Sequence, residues 1–557
     1  MSGTEPAGFA HAAASAAHGN LMGSLHASGN SLLFAGAGLG LAVIGAGALL
    51  PHGGKASEAG MATRRQMRRH MSAKSVLKDA RRLHPQLAAL PRAQRRKLDP
   101  EEYSRLLGHW GRRRIYCGYK DIGIVVAPPQ TGKTALFGTM ILDSVGSVVS
   151  TSTKLDLYEA TRRIRSEYGK IWLLNTEGQG GIGTNFRWSP VTGCEAPSVA
   201  MRRAAALVTA SGGTGDVENG GYWVDKATEL LASMLHAAAI SGRLMRDVAQ
   251  WAKNMQNSMA GEILNEHSFP KDDSRAATLA ARAASDFADM FKGIQQGDPR
   301  TTTSVYSTLQ RGLAWMVIPE LAEVTEPSAD FPEFDPAAFV LNCDTLFLVG
   351  ENVPGSGLAP LFSTIASVIH AEAKFAATMQ PGGRLWPAVS FFLDELPQIV
   401  PVPFATWAAE SGGRGVSMWA AVQTISQLYD RYGMQGGATI LSCANVTILF
   451  GGNRDDKYLE GISKIIGDRR VRIHTEPGQP RPADPYRRER IVPVERIAQL
   501  PPGRGLLLYR HMPATYFDYT PVWQHPAVRE LRKQDKRQRR RGIIRRPGSS
   551  TESWERV

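Results

Sequence analysis

Residues 127–134 read A-P-P-Q-T-G-K-T, and these residue types in this order suit one task, the holding of a nucleotide polyphosphate. A Gly-Lys-Thr step at the opening of a helix turns successive backbone N–H groups toward one anion. Gln130, Thr131, Gly132, Lys133 and Thr134 form the expected binding loop: their N–H groups wrap the β-phosphate, Lys133 reaches the β/γ-oxygens, and the Thr134 hydroxyl ligates Mg²⁺. The loop departs from the usual pattern at its start. Ala127 stands where a glycine is common, and Pro128 and Pro129 remove two N–H donors.

A second acidic position completes the chemistry. The apolar run 388–393 ends in Asp394-Glu395, a strand delivering two carboxylates to its C-terminal tip. Asp394 is expected to hold Mg²⁺ and Glu395 to polarise a water for attack on the γ-phosphate of ATP. Residues 416–422 form another strand-like run that leads into Gln423, which is placed to sense the γ-phosphate; Asn445, before the run 446–450, is a weaker candidate for the same role. Arg414 lies in the loop S-G-G-R-G, where it is able to stabilise transition-state charge across a subunit boundary or to serve as a solvated loop residue.

These groups need a scaffold. The β-branched run 122–126 before the loop and the helical pattern 134–142 after it give strand, loop, helix, the context a phosphate-binding loop requires. Further strands are expected at 147–150, 171–174, 345–349 and 500–508. Lys133 and Asp394 are separated by 261 positions, room for a whole additional domain. That interval shows i, i+3/i+4 apolar spacing at 198–210, 223–240, 276–291 and 304–317, with the stripe Trp223, Ala227, Leu230, Leu231, Met234, Leu235, Ala238 the clearest. The fold class that follows is α/β: a RecA-like P-loop NTPase core with a mainly parallel sheet, interrupted by an all-α insertion domain.

The chain has 557 residues and a formal charge of +14. Positions 55–114 alone carry +12 and positions 529–546 carry +8, which leaves −6 for everything else. Nucleic-acid contact by the catalytic part must therefore come from local patches. Four scattered cysteines form no metal-binding or disulfide pattern. No Asp, Glu, Lys or Arg occurs between Glu5 and Lys55, and 31–50 is long enough to span a bilayer as one helix. The arginine-rich run that follows places the C-terminal side in the cytoplasm of a cell-membrane protein. The resulting division is a non-cytoplasmic tail 1–30, a transmembrane helix 31–50, a basic juxtamembrane segment 51–115, nucleotide-binding segments 116–190 and 336–528 flanking an all-α insertion 191–335, and a basic disordered tail 529–557.

At this point the residues resemble the coupling-protein ATPases of type IV secretion and conjugation, of the TraG/TraD kind. The resemblance rests on the phosphate loop, D-E-L-P-Q-I at 394–399, G-R-G-V-S-M-W-A-A-V-Q-T-I-S-Q-L at 413–428 and S-T-K-L-D-L-Y at 152–158, and covers most of 122–508. It implies a membrane-anchored, ATP- and Mg²⁺-dependent motor forming a homo-oligomeric, hexameric ring. Such a motor passes DNA, single-stranded and with bound relaxase, to type IV secretion channel components, and the all-α insertion meets the cargo. Where the family usually has two spanning helices, one is evident here. The alternatives are an FtsK-type double-stranded DNA translocase and a membrane receptor for cargo switched by nucleotide with little turnover.

Overall fold

The computed structural model describes residues 59–212, 220–351, 357–472 and 486–540. The expected tail 1–30 and spanning segment 31–50 lie outside the described residues. Among those described, no helix is long and apolar enough to cross a membrane.

The strands are β1 Ser104–Trp110, β2 Arg113–Gly118, β3 Gly123–Val126, β4 Val148–Ser152, β5 Ile171–Asn175, β6 Thr345–Val349, β7 Val389–Leu393, β8 Val416–Val422, β9 Val446–Leu449, β10 Asp468–Arg472, β11 Tyr486–Arg490, β12 Arg504–Tyr509 and β13 Thr515–Asp518. All but β10 and β11 join one 11-stranded sheet in the order β2-β1-β13-β12-β9-β3-β8-β7-β4-β6-β5. From β9 to β5 every pairing is parallel, as strands buried on both faces require. The other flank is antiparallel. Because β1 and β2 belong to this sheet, the sheet-bearing body begins before the boundary at 116 expected from sequence, and part of the segment 51–115 is core. The basic residues before it form helices, Arg64–His70 and Ala73–Leu83.

Alternation along the central strands divides the core in two. Ile122, Ile124 and Val126 join one apolar cluster; Val125 and Ala127 join another, with Leu136, Phe137 and Met140 of the helix Lys133–Leu142. The first cluster runs without a break into the helices Pro197–Ala210, Gly220–Ile240, Arg275–Gln295 and Pro299–Gly312. The insertion is helical where the periodicity predicts, and it shares its core with one sheet face. At the centre, β3 and β8 approach so closely that a Cβ on Gly123 would lie 2.2 Å from the Trp419 ring.

Two guanidiniums are buried behind the helix Lys133–Leu142. Arg105 donates to the Met140 carbonyl (2.8 Å), Ser144 Oγ (2.9 Å) and Ser390 Oγ of β7 (2.7 Å), flanked by the Tyr119 and Phe392 rings. Arg165 donates to the Ser144 and Gly146 carbonyls and to Thr345 Oγ1 of β6. Arg105 satisfies a carbonyl in the last turn of the helix, at the negative end of its dipole, and Arg165 satisfies carbonyls of the turn that follows it.

The described residues from Ala59 to Arg529 belong to one compact unit. Of the second unit, the described part is the end of a helix, Pro526–Arg540. This corrects the expectation of disorder from 529 onward as far as Arg540: no glycine or proline interrupts the stretch after Pro526, and its charges face solvent as i, i+3 pairs such as Lys533–Glu530.

Burial also sets a pH response. Desolvation pulls His370, stacked on Trp407 at 4.1 Å, down to about 3, and His84 down to about 4. Above the ordinary value of 6.5 neither imidazole binds a proton in either state; below it the unfolded chain takes up protons that the folded chain refuses. Each histidine is therefore expected to subtract up to about 1.4 kcal/mol of stability per pH unit as pH drops from 6.5 toward 4, opposed below pH 6 by the raised carboxyl of Asp394. Thermal melts across that range check this, and a His370→Gln protein should show a shallower decline.

Candidate nucleotide-binding site

The loop 127–132 leaves β3 at the C-terminal edge of the parallel strands, where such sheets place their ligands. Ala127 is buried and extends the ladder, its N–H donating to the Val422 carbonyl at 3.0 Å. The left-handed turns fall instead at Gln130 (φ 61°) and Gly132 (φ 110°). That accounts for the missing first glycine: no positive φ is needed at Ala127, and its methyl fills core. Thr131 Oγ1 closes the turn onto the Pro128 carbonyl at 2.7 Å. Gly132 caps the helix Lys133–Leu142, so Lys133 and Thr134 occupy its first turn with N–H groups free of helical partners.

Lys133 is buried, and its ammonium has no hydrogen-bond partner among the described residues. It lies 3.9 Å from Glu395 Oε1. A buried ammonium left unsatisfied is costly, and the aim of this one, from the head of a helix, fits a phosphate oxygen. Asp394 follows β7, its carbonyl held by Thr151 Oγ1 of β4 at 3.0 Å. Burial pushes its carboxyl up to about 6; Lys133 opposes the rise and Glu395 adds to it. A cation beside it would favour the ionised form, which suits Asp394 and Thr134 as Mg²⁺ ligands.

Glu395 sits at φ 54°, rare for a residue with a side chain, and backbone strain of this kind clusters at functional sites. Its Oε1 accepts from Gln423 Nε2 at 2.5 Å, so Gln423 at the tip of β8 joins Lys133 on the same carboxylate oxygen. Gln423 is itself held by Gln427, whose Oε1 accepts from the Gln423 and Thr424 N–H groups at 3.3 and 3.4 Å. The pairing of Thr424 and Gln427 is a capping box for the helix Ile425–Cys443. Its T-x-x-Q signature stands in the sequence.

Two residues lie elsewhere. Asn445 precedes β9, and its side chain accepts from the Ile122 N–H at 3.2 Å, before β3. Since β3 and β9 are parallel, Asn445 is at the edge opposite the loop and does not sense phosphate; that expectation is corrected. The loop-side tip of β9 carries Gly452, where a Cβ would lie 3.6 Å from Thr131, and Asn453, buried with an amide nitrogen that has no partner among the described residues. Arg414 ends the helix Phe404–Arg414 before β8, a strand length of roughly 20 Å from Gln423. It does not join the site of its own chain, but lines a groove of about 750 Å³ with Lys374, Phe375, Trp407 and Glu410.

Sequence reading also missed Tyr519. Stacked on Phe450 at 5.1 Å, it holds its hydroxyl against Gly132, where a Cβ would come within 1.8 Å. No local pattern connects residues so far apart in the chain.

Comparison with known proteins bears out the resemblance read from the sequence. Residues 388–502 match the family described as the TraM recognition site of TraD and TraG. The fold is similar to that of the plasmid coupling protein TrwB in complex with the GTP analogue GDPNP, with a TM-score of 0.51 and 19% identity over 72% of this chain and 86% of that one. The unbound conjugative coupling protein TrwBdeltaN70 gives 0.54 and 18%, over 77% and 91%. TrwB with ADP and Mg²⁺ gives 0.51 and 18%, over 72% and 86%. No curated protein matches the chain in sequence.

Proposed function

We propose that this chain is a membrane-anchored ATPase that moves DNA, with bound relaxase, into a type IV secretion channel. The observation that carries the reading is the meeting of Lys133 and Gln423 on Glu395 beside Asp394, at the edge where the phosphate loop opens. The match at 388–502 and the nucleotide and Mg²⁺ complexes of TrwB support ATP and Mg²⁺ here.

In this reading Gln130 to Thr134 wrap the phosphates, and Lys133 neutralises the charge that builds on the γ-phosphoryl oxygens. Glu395, oriented by Gln423, takes the proton of the attacking water. Thr134 and Asp394 would hold Mg²⁺, which when bound would supply neutralisation of phosphate charge. Arg414 belongs to a neighbouring copy's site, because its own chain keeps it at the far end of β8. The active form is then a ring, with six subunits expected from the coupling-protein resemblance, and its anchor is the segment 31–50.

ATP turnover by the full chain, with and without single- and double-stranded DNA, tests this. Single-stranded DNA is expected to raise the rate several-fold. Stimulation by duplex alone would replace the reading with a double-strand translocase, and negligible turnover with DNA present would replace it with a nucleotide-switched receptor. Arg414→Ala and Lys133→Ala proteins should each be inactive, yet regain part of the rate when mixed, since Lys133→Ala subunits still offer Arg414 to a neighbour. No recovery on mixing would place Arg414 outside the chemistry.

A further inference from the structure

The catalytic body is acidic outside its two basic stretches, so any polyanion must be gripped at a local patch. The ribbon β10–β11 is one. Its strands read D-R-R-V-R and Y-R-R-E-R. Opposed residues on one face are Asp468 and Arg490, Arg470 and Arg488, Arg472 and Tyr486; Arg469 and Glu489, Val471 and Arg487 share the other.

The two carboxylates of these strands are unevenly spent. Glu489 takes both Arg469 (3.9 Å) and Arg487 (2.5 Å) on its own face, while Asp468 is engaged with Arg490 at the base, at 2.9 Å. Farther along that first face, Arg470 stands opposite Arg488, a like-charge pairing that weakens a ladder. The Arg470 guanidinium lies over the Tyr486 ring at 5.1 Å. Arg470, Arg472, Tyr486 and Arg488 are all exposed.

We propose that this face of the β10–β11 ribbon is a nucleic-acid contact, its arginines on phosphates and Tyr486 as a stacking plate for a base. Same-face side chains repeat about every 6.8 Å along a strand, and guanidiniums take phosphate oxygens in pairs. Stacking on an aromatic ring is the sequence-tolerant way to hold single strands. A single strand uses the guanidiniums and the exposed ring together, phosphates on the first and a base on the second.

The ribbon is wired to the nucleotide site. Gly452 lies against Thr131, Asp455 caps the 11-residue helix Asp456–Ile466 through the Tyr458 N–H, and β10 begins two residues after that helix ends. A rod about 16 Å long thus joins the phosphate loop to the ribbon.

The proposal rests on the DNA-handling part of the function given above. The test is anisotropy of a fluorescent single-stranded oligonucleotide with the full chain, over a range of salt. An Arg472→Gln/Arg488→Gln protein should bind at least tenfold more weakly, with the slope of log affinity against log salt reduced by about 1.4 for two lost single-strand contacts. Tyr486→Ala should weaken binding about fivefold with the slope unchanged, and DNA-free ATP turnover should be intact in both. Wild-type binding by both variants overturns the ribbon alone. Unchanged oligonucleotide binding with lost binding to phosphatidylglycerol vesicles would make it a lipid contact. Failure of the wild-type chain to bind the oligonucleotide would sink the DNA reading itself.

Discussion

A Lys133→Ala protein is expected to lose ATP turnover by at least a thousandfold, equivalent to about 4 kcal/mol of transition-state stabilisation. The size follows from what surrounds the ammonium. It is buried, has no hydrogen-bond partner among the described residues, and stands 3.9 Å from Glu395. In a water-poor site its charge acts with little screening, and no second lysine or arginine of the same chain reaches the two carboxylates among the described contacts. Its removal also takes away the cation that restrains the upward shift of Asp394. Nucleotide binding should weaken along with turnover. A rate within tenfold of wild type, measured on protein with an unchanged melting temperature, would mean that the phosphate loop is not where ATP is hydrolysed.

Glu395→Gln should separate binding from chemistry. The substitution keeps the shape of the side chain and its contact with Gln423, but it removes the group able to accept a proton from water. Turnover is expected to drop by about 10²- to 10⁴-fold, the usual share of a general base, while the dissociation constant for ATP changes by less than threefold. If affinity falls as far as the rate, Glu395 is holding the ligand and some other group is the base. Gln423→Ala is the natural companion, because Gln423 orients Glu395 without itself taking the proton. Its loss should be smaller and confined to the rate.

The parallel half of the fold was legible because burial on both faces leaves a continuous apolar run, as in 388–393 and 416–422, and because glycine, lysine and threonine before a helix have few other uses. Asp394 and Glu395 could be placed by the rule that parallel strands deliver function at their C-terminal ends. The same rule excludes Asn445, which precedes its strand, and points to Asn453 beyond it. Of the antiparallel flank only β12 was expected, from the run 500–508; β1 pairs with β13 across most of the chain, and nothing local in their residues announces a partner. Tyr519 on Gly132 is the same difficulty at the scale of one contact. Ala127 read as a defect only while the glycine pattern was taken as a whole; the left-handed turns fall at Gln130 and Gly132, and the first position is free to carry a side chain.

The two guanidiniums behind the phosphate-gripping helix have a mechanical meaning. Arg105 ties the rear of that helix to Ser390 of β7, four residues before Asp394, and Arg165 ties the turn after it to Thr345 of β6. Halves of the active site that are 261 positions apart in sequence are thereby bolted to one chassis. A subunit so braced is a poor spring: hydrolysis has little room to pull the lysine away from the carboxylates. In the ring proposed above, the stroke would then fall to the seams, where one copy's site would meet the next, each subunit turning as a solid gear.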